Sequence, residues 1–155
     1  MDLKPIENKS AIVSKLLHQN NLSTEGITEK DVQFFAMYDK EIALGIGAFT
    51  VCGEFAMPPS VCIDHRYQKR GLGNVLCNQL FIKAKELGLE NIYLLTDTAE
   101  GFFKKPNFNR IKREELPIVL ENNILVQSAC SMNSVVMYRK NLVFLLLFIV
   151  LRLVV

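Results

Sequence analysis

A chain of 155 residues supplies one domain with a real core and falls short of two. Half of its residues are apolar and 22% are charged, which excludes a disordered chain. A formal net charge of +2, without any dense Lys/Arg stripe, argues against a nucleic-acid partner.

In chain order, residues 2–6 form a short strand. The opening MDLKPIENKS has no long apolar run after its charges, so no signal peptide is expected. Ile12, Val13, Leu16 and Leu17 fall at helical spacing, which predicts an amphipathic helix from Asn8 to Gln19 capped by Asn8 or Ser10. NLSTEGITEKD, 21–31, is a polar loop with room for a helical turn. FFAMYD, 34–39, and IALGIGAFTVC, 42–52, form a hairpin across Asp39-Lys40-Glu41. Gly45 and Gly47 within the second strand signal a bulge or a close backbone approach. Pro58-Pro59 then breaks the chain, and SVCID begins a new strand. Gly71 to Leu87 is the clearest helix, with Val75, Leu76, Leu80, Ile82, Ala84 and Leu87 as its apolar side and Gly88 as its stop. NIYLLT, 91–96, is a buried strand. Thr98 to Lys105 is a short helix ended by Pro106. FNRI, 108–111, is a strand, Glu114 to Asn122 is helical with Pro117 in its first turn, and Ser134 to Arg139 is the closing strand. SVCI, the long helix and NIYLLT make a βαβ unit, whose two strands must be parallel. The hairpin before it makes the sheet mixed.

The four cysteines, Cys52, Cys62, Cys77 and Cys130, are scattered, with no CxxC pair and no His cluster. Neither a zinc site nor a disulfide frame is expected. Free thiols within apolar runs fit the reducing cytoplasm. Residues 141–155, NLVFLLLFIVLRLVV, are almost wholly apolar and follow Arg139-Lys140. As a helix they would reach ~22 Å, short of the ~30 Å hydrocarbon core. Three readings stand for this tail: a marginal membrane anchor, a packed element or partner-binding patch, or an appendage without function. The length shortfall favours the last two over the anchor.

QKRGLGN, 68–74, places two glycines and two cations between a strand and a helix. The first turn of a helix presents backbone N–H groups without partners and the positive end of the helix dipole. Several amides can hold one anion there, and glycine lets it come close. The spacing is neither a Walker loop nor a dinucleotide fingerprint, because Leu76 stands where G-x-G-x-x-G needs its third glycine. It resembles the acetyl-coenzyme A motif Q/R-x-x-G-x-G/A of the GNAT superfamily of N-acetyltransferases, on Gln68, Gly71 and Gly73. AEGFFKKPNF, 99–108, resembles the superfamily's second signature, an aromatic-rich helix ending in x-x-G-F. More narrowly, YLLTDTAEGFFKKPNFNRIKREELP, 93–117, and SACSMNSVVM, 128–137, look like the small arsenic-resistance N-acetyltransferases. Those are in turn similar to the catalytic domain of N-acetylglutamate synthases.

The resemblance covers residues 1–140 and implies an α+β, three-layer fold for that domain. A mixed, mostly antiparallel central sheet would carry helices on both faces and one central βαβ unit. It implies acetyl-CoA as co-substrate, no metal, and transfer of the acetyl group to a small-molecule amine, an amino acid or a compound like one, in a ternary complex. A homodimer is compatible with it. The strand before the glycine turn would splay from its parallel neighbour, with the pantetheine arm against Val61, Cys62 and Ile63. The diphosphate would sit on amides from Lys69 through Arg70, Gly71, Leu72 and Gly73 to Asn74, and Gln68, Lys69 and Arg70 could add side-chain donors. Leu95 and Thr96 would line the acetyl end, with Phe102 and Phe103 along the coenzyme. Thr96 and Thr98 could touch the acceptor, or could cap the helix that starts at Ala99.

Two positions depart from the superfamily's pattern. Asn107, after Pro106, replaces the glycine of x-x-G-F, and Asn tolerates the left-handed backbone better than most residues. Phe103 stands where many members place a tyrosine as general acid, so it has no proton to give. No general base is readable. Glu54, Asp64, Asp97 and Glu100 can each accept an amine proton, but each reads first as a solvated carboxylate. His65 reads as a turn residue, His18 as a cation at a helix C-terminus. Cys130 aligns with a cysteine of the arsenic-resistance relatives, but nothing near it in sequence would activate a thiol. The alternatives to an active enzyme are a catalytically silent acyl-CoA-binding module, and a chain damaged near residue 140.

Overall fold

The computed structural model describes residues 1–24, 26–28, 30–123, 126–127 and 131–140. Cys130 and the apolar stretch 141–155 lie outside the described residues. Among the elements that the described residues bound at both ends, seven strands and four helices follow one another as β1(Asp2–Ile6), α1(Ala11–Gln19), β2(Val32–Asp39), β3(Ile42–Cys52), β4(Phe55–Ile63), α2(Leu72–Glu86), β5(Asn91–Thr96), α3(Glu100–Lys104), β6(Asn109–Ile111), α4(Ile118–Glu121) and β7(Val135–Lys140). The strands join in one sheet of order β1-β2-β3-β4-β5-β7-β6. Every neighbouring pair is antiparallel except β4 and β5.

Each face of the sheet carries its own core. On one, Val13, Leu16 and Leu17 of α1 meet Phe34, Ala36 and Ile46 of the sheet, with Leu116 and Leu120 from around α4. On the other, Leu76, Cys77, Leu80, Phe81 and Ala84 of α2 pack on Phe35, Met37, Ile92 and Leu94. The α2 stripe therefore differs from the expected one. Val75, Ile82 and Leu87 are exposed, and Cys77 and Phe81 take their place. The helix rests on the sheet through positions i, i+1, i+4, i+5 and i+8, which is one continuous helical face. Gly88, at φ 77°, ends α2 as expected, with Leu89 N–H donating to Ala84 O and Gly88 N–H to Lys85 O.

Both glycines of β3 are explained by close approach. A Cβ on Gly45 would stand 2.5 Å from the Cys62 carbonyl oxygen of β4, and one on Gly47 would strike a δ-methyl of Leu80 in α2. The ladder to β2 also slips between Met37 and Tyr38, opposite Gly45 and Ala43.

Pro58-Pro59 do not start a new element. They lie inside β4, which begins at Phe55. Proline lacks the N–H that a ladder needs, and here the ladder to β3 skips from Ala48↔Ser60 to Thr50↔Met57 at that point. On its other side β4 pairs with β5 only at Phe55↔Asn91 and Ala56↔Ile92. The prolines thus sit where neither neighbour asks for a hydrogen bond. Beyond Ala56 the two parallel strands part, and the split between them opens the site.

Smaller differences are local. The helix expected over 114–122 resolves into a 3-10 turn at Arg113–Glu115 followed by α4, with Pro117 as its N-cap. No helix among the described residues is long and apolar enough to cross a membrane.

Candidate active site

The cleft between β4 and β5 holds about 860 Å³. Its floor and walls come from β4, the turn at 67–74, the end of β5, α3, and the segment that follows α1.

The turn after β4 is fixed by Asp64. Its backbone N–H donates to Leu44 O, and its carboxylate accepts from the Arg66 backbone N–H, Nε and Nη2, each at 3.0 Å. Asp64 is buried, so the surface carboxylate expected from sequence is a structural one. The hydrogen bonds from Arg66 hold its carboxyl near pH 2, from an ordinary 3.8. A carboxylate whose pKa is depressed by folding stabilises above its unfolded pKa and stops doing so as pH falls through the folded one. Acid denaturation should therefore steepen between pH 3.8 and about 2. Urea midpoints measured across that window should fall less in Asp64→Asn than in the parent chain; parallel falls would remove Asp64 from this role.

The chain then turns through Lys69 at φ 60° and Gly71 at φ 77° into α2. Among the described residues, no backbone carbonyl accepts the N–H groups of Lys69, Arg70, Gly71, Leu72 or Gly73. Among the described residues, N–H groups without a backbone partner thus gather in the turn before α2 and in its first residues, an arrangement that suits an anion. The two glycines act differently. A Cβ on Gly71 would meet nothing within 4 Å, so glycine is needed there for its left-handed backbone. A Cβ on Gly73 would stand 3.2 Å from the Phe102 ring, so glycine there lets α3 lie across the mouth of α2.

Of the fifteen residues expected at the site, thirteen line the cleft: Val61, Ile63, Gln68, Lys69, Gly71, Leu72, Gly73, Asn74, Leu95, Thr96, Thr98, Phe102 and Phe103. Cys62 and Arg70 do not. The pleat of β4 turns the Cys62 side chain into the opposite core, where burial pushes its thiol up to about 12. Arg70 points outward, 5.7 Å above the ring of Tyr67. Gln68 lines the cleft, but its side-chain amide is engaged elsewhere. Its Nε2 donates to Ile63 O at 3.0 Å and to Asn20 Oδ1 at 3.1 Å. Both protons of that amide are used to tie the end of β4 and the end of α1 to the glycine turn. Asn74 offers a further polar atom, because its Oδ1 is buried and has no partner among the described residues.

At the other end, the Thr96 hydroxyl accepts from Ala99 N–H at 2.9 Å, so Thr96 rather than the exposed Thr98 caps the turn into α3. Phe102 and Phe103 line the cleft and also belong to the core, in a chain of ring contacts through Phe108 to Phe81. Asn107 takes φ 65°, and Phe108 N–H donates to Phe103 O, so the turn survives the missing glycine. His65 and His18 are exposed, in a 3-10 turn and in the last turn of α1. Cys52, Cys62 and Cys77 are buried free thiols.

Sequence reasoning missed Tyr67 and the wall after α1, where Asn20, Leu22, Ser23, Gly26 and Ile27 line the cleft. Nothing in a polar loop signals which side of a sheet it will cover.

Residues 7–108 match the family model described as Acetyltransferase (GNAT) family. The chain belongs to that family. It is an acyltransferase, with acetyl-CoA as co-substrate and no metal-binding group among the described residues. Solved structures share its fold. Tetrahymena GCN5 is 18% identical over 92% of this chain and 97% of its own, at a TM-score of 0.71. N-acetylglutamate synthase from Neisseria gonorrhoeae, complexed with coenzyme A and N-acetyl-glutamate, is 16% identical over 92% of this chain but 36% of its own, at 0.69. An aminoglycoside 6'-N-acetyltransferase complexed with coenzyme A is 13% identical over 92% and 98%, at 0.67. No curated protein matches this GNAT chain.

Proposed function

We propose that this GNAT protein transfers the acetyl group of acetyl-CoA directly to the amine of a small molecule, an amino acid or a compound like one, in the cytoplasm. The observation that carries the reading is the row of unpaired amides at the start of α2, opening onto the split between β4 and β5. The diphosphate takes the amides of 69–73, where the dipole of α2 favours negative charge. The pantetheine arm runs into the split beside Val61 and Ile63, along an edge of β4 that β5 leaves unpaired. Phe102 closes over it from α3. The acetyl end then reaches Leu95 and Thr96.

With both substrates held, the amine lone pair attacks the acetyl carbonyl carbon. A C–N bond forms, the C–S bond breaks, the nitrogen gives up one proton to solvent, and coenzyme A leaves as thiolate. Phe103 carries no proton for that thiolate, so solvent supplies it. Placement of amine and thioester in attack geometry is the protein's main contribution. Likeness to the N-acetylglutamate synthase fold supports the amino-acid class of acceptor.

Calorimetric titration of acetyl-CoA, followed by a thiol-release screen over amino acids, tests the reading. Micromolar binding with release dependent on one amine is expected. No binding to the folded chain would remove the coenzyme reading, and binding without any transfer would make the protein a silent acyl-CoA module.

A further inference from the structure

We propose that Asp97 is the dock for the acceptor's ammonium group and sets a preference for cationic primary amines. This rests on the coenzyme reading above. Three charged residues line the cleft among the described residues: Lys69, Lys105 and Asp97. Asp97 is the anion among these described residues. It directly follows the last residue of β5, beside Leu95 and Thr96. The cleft therefore joins the α2 amides to a negative charge at the end of β5. A coenzyme and an amine need both.

The carboxylate is held in place. Ser134 Oγ donates to Asp97 Oδ1 at 2.6 Å, and Ser131 Oγ donates to the same oxygen at 3.3 Å. Ser134 is itself buried, and its N–H closes a turn onto Ser131 O. The ladder pair Thr96↔Val135 is what brings this turn beside the end of β5. Both hydroxyls bind Oδ1, and among the described residues no donor reaches Oδ2. A fixed carboxylate with one free oxygen suits an ammonium donor. The docked ammonium gives one proton to water, and its lone pair is then placed against the acetyl carbon.

The test uses the full chain and n-butylamine, a bare ammonium on a short apolar stem, with n-butanol as neutral control. n-Butylamine is expected to accelerate thiol release from acetyl-CoA, and n-butanol is not. In Asp97→Asn, which keeps an oxygen for the two serines, the half-saturating amine concentration should rise at least tenfold. The calorimetric affinity for acetyl-CoA should stay within twofold. Ser134→Ala, which leaves the charge but frees it to turn, should show a smaller rise. An amine response within twofold of wild type in Asp97→Asn, or acetyl-CoA binding without any response to n-butylamine in wild type, overturns the dock. A wild-type chain that does not bind acetyl-CoA fails at the coenzyme step, and the dock falls with it.

Discussion

Acetyl-CoA affinity is expected to fall at least about a hundredfold in Gly71→Glu, because the new carboxylate would stand among the amides that seat the diphosphate. Gly71 permits a clean experiment. A Cβ there meets no atom within 4 Å, so the first side-chain carbon adds no clash. Its φ of 77° still strains any L-residue, by about 1–2 kcal/mol. Gly71→Ala separates the two effects. It should lose the same stability and keep acetyl-CoA binding within about tenfold. Calorimetry of the three proteins, with urea unfolding beside it, reads both quantities. Equal loss of binding in Ala and Glu variants would mean that backbone shape alone matters. Unchanged binding in Gly71→Glu would move the diphosphate elsewhere.

The largest loss of stability is expected in Gly45→Ala, about 3 kcal/mol. The neighbour it would strike is the backbone oxygen of Cys62, 2.5 Å from the added carbon, with Ile63 Cδ1 at 2.7 Å. A carbonyl held in a ladder cannot rotate aside, so β3 and β4 would have to separate. Gly47→Ala should cost less, because it meets the end of the Leu80 side chain, which has other rotamers. Urea midpoints rank the two. A Gly45→Ala chain as stable as Gly47→Ala would show that the two strands part more easily than their ladder suggests. The same separation would move Ile63, whose carbonyl takes Gln68 Nε2. Acetyl-CoA affinity should therefore fall in the Gly45 variant as well.

Much of this was readable in the chain. β5 has the bounds that NIYLLT suggested, and the glycine turn lies between β4 and α2 as its spacing required. Such features are local: a run of β-branched and aromatic residues, a helix start, a glycine stop. What could not be read depends on neighbours far along the chain. Pro58 and Pro59 read as a break because proline opposes a ladder, yet both flanks of β4 happen to lack one there. Val75 and Ile82 are as apolar as Leu76 and Leu80, and the angle at which α2 meets the sheet decides which pair is covered. Asp64 is indistinguishable from a surface carboxylate until Arg66 folds back onto it. Gln68 carries the right donors for a phosphate, but Ile63 and Asn20 reach them first.

The position of β7 between β5 and β6 has a consequence for synthesis on the ribosome. β2, β3 and β4 each lie beside the strand made just before them, so that half of the sheet can assemble as it emerges. β6 has no partner until β7 arrives, and β5 waits for the same strand on its open side. Residues 135–140 thus act as a late zipper that closes two ladders at once. A chain released before Val135 would leave β6 without a ladder and β5 held only at Phe55↔Asn91 and Ala56↔Ile92, and the wall on which the cleft depends would weaken with it.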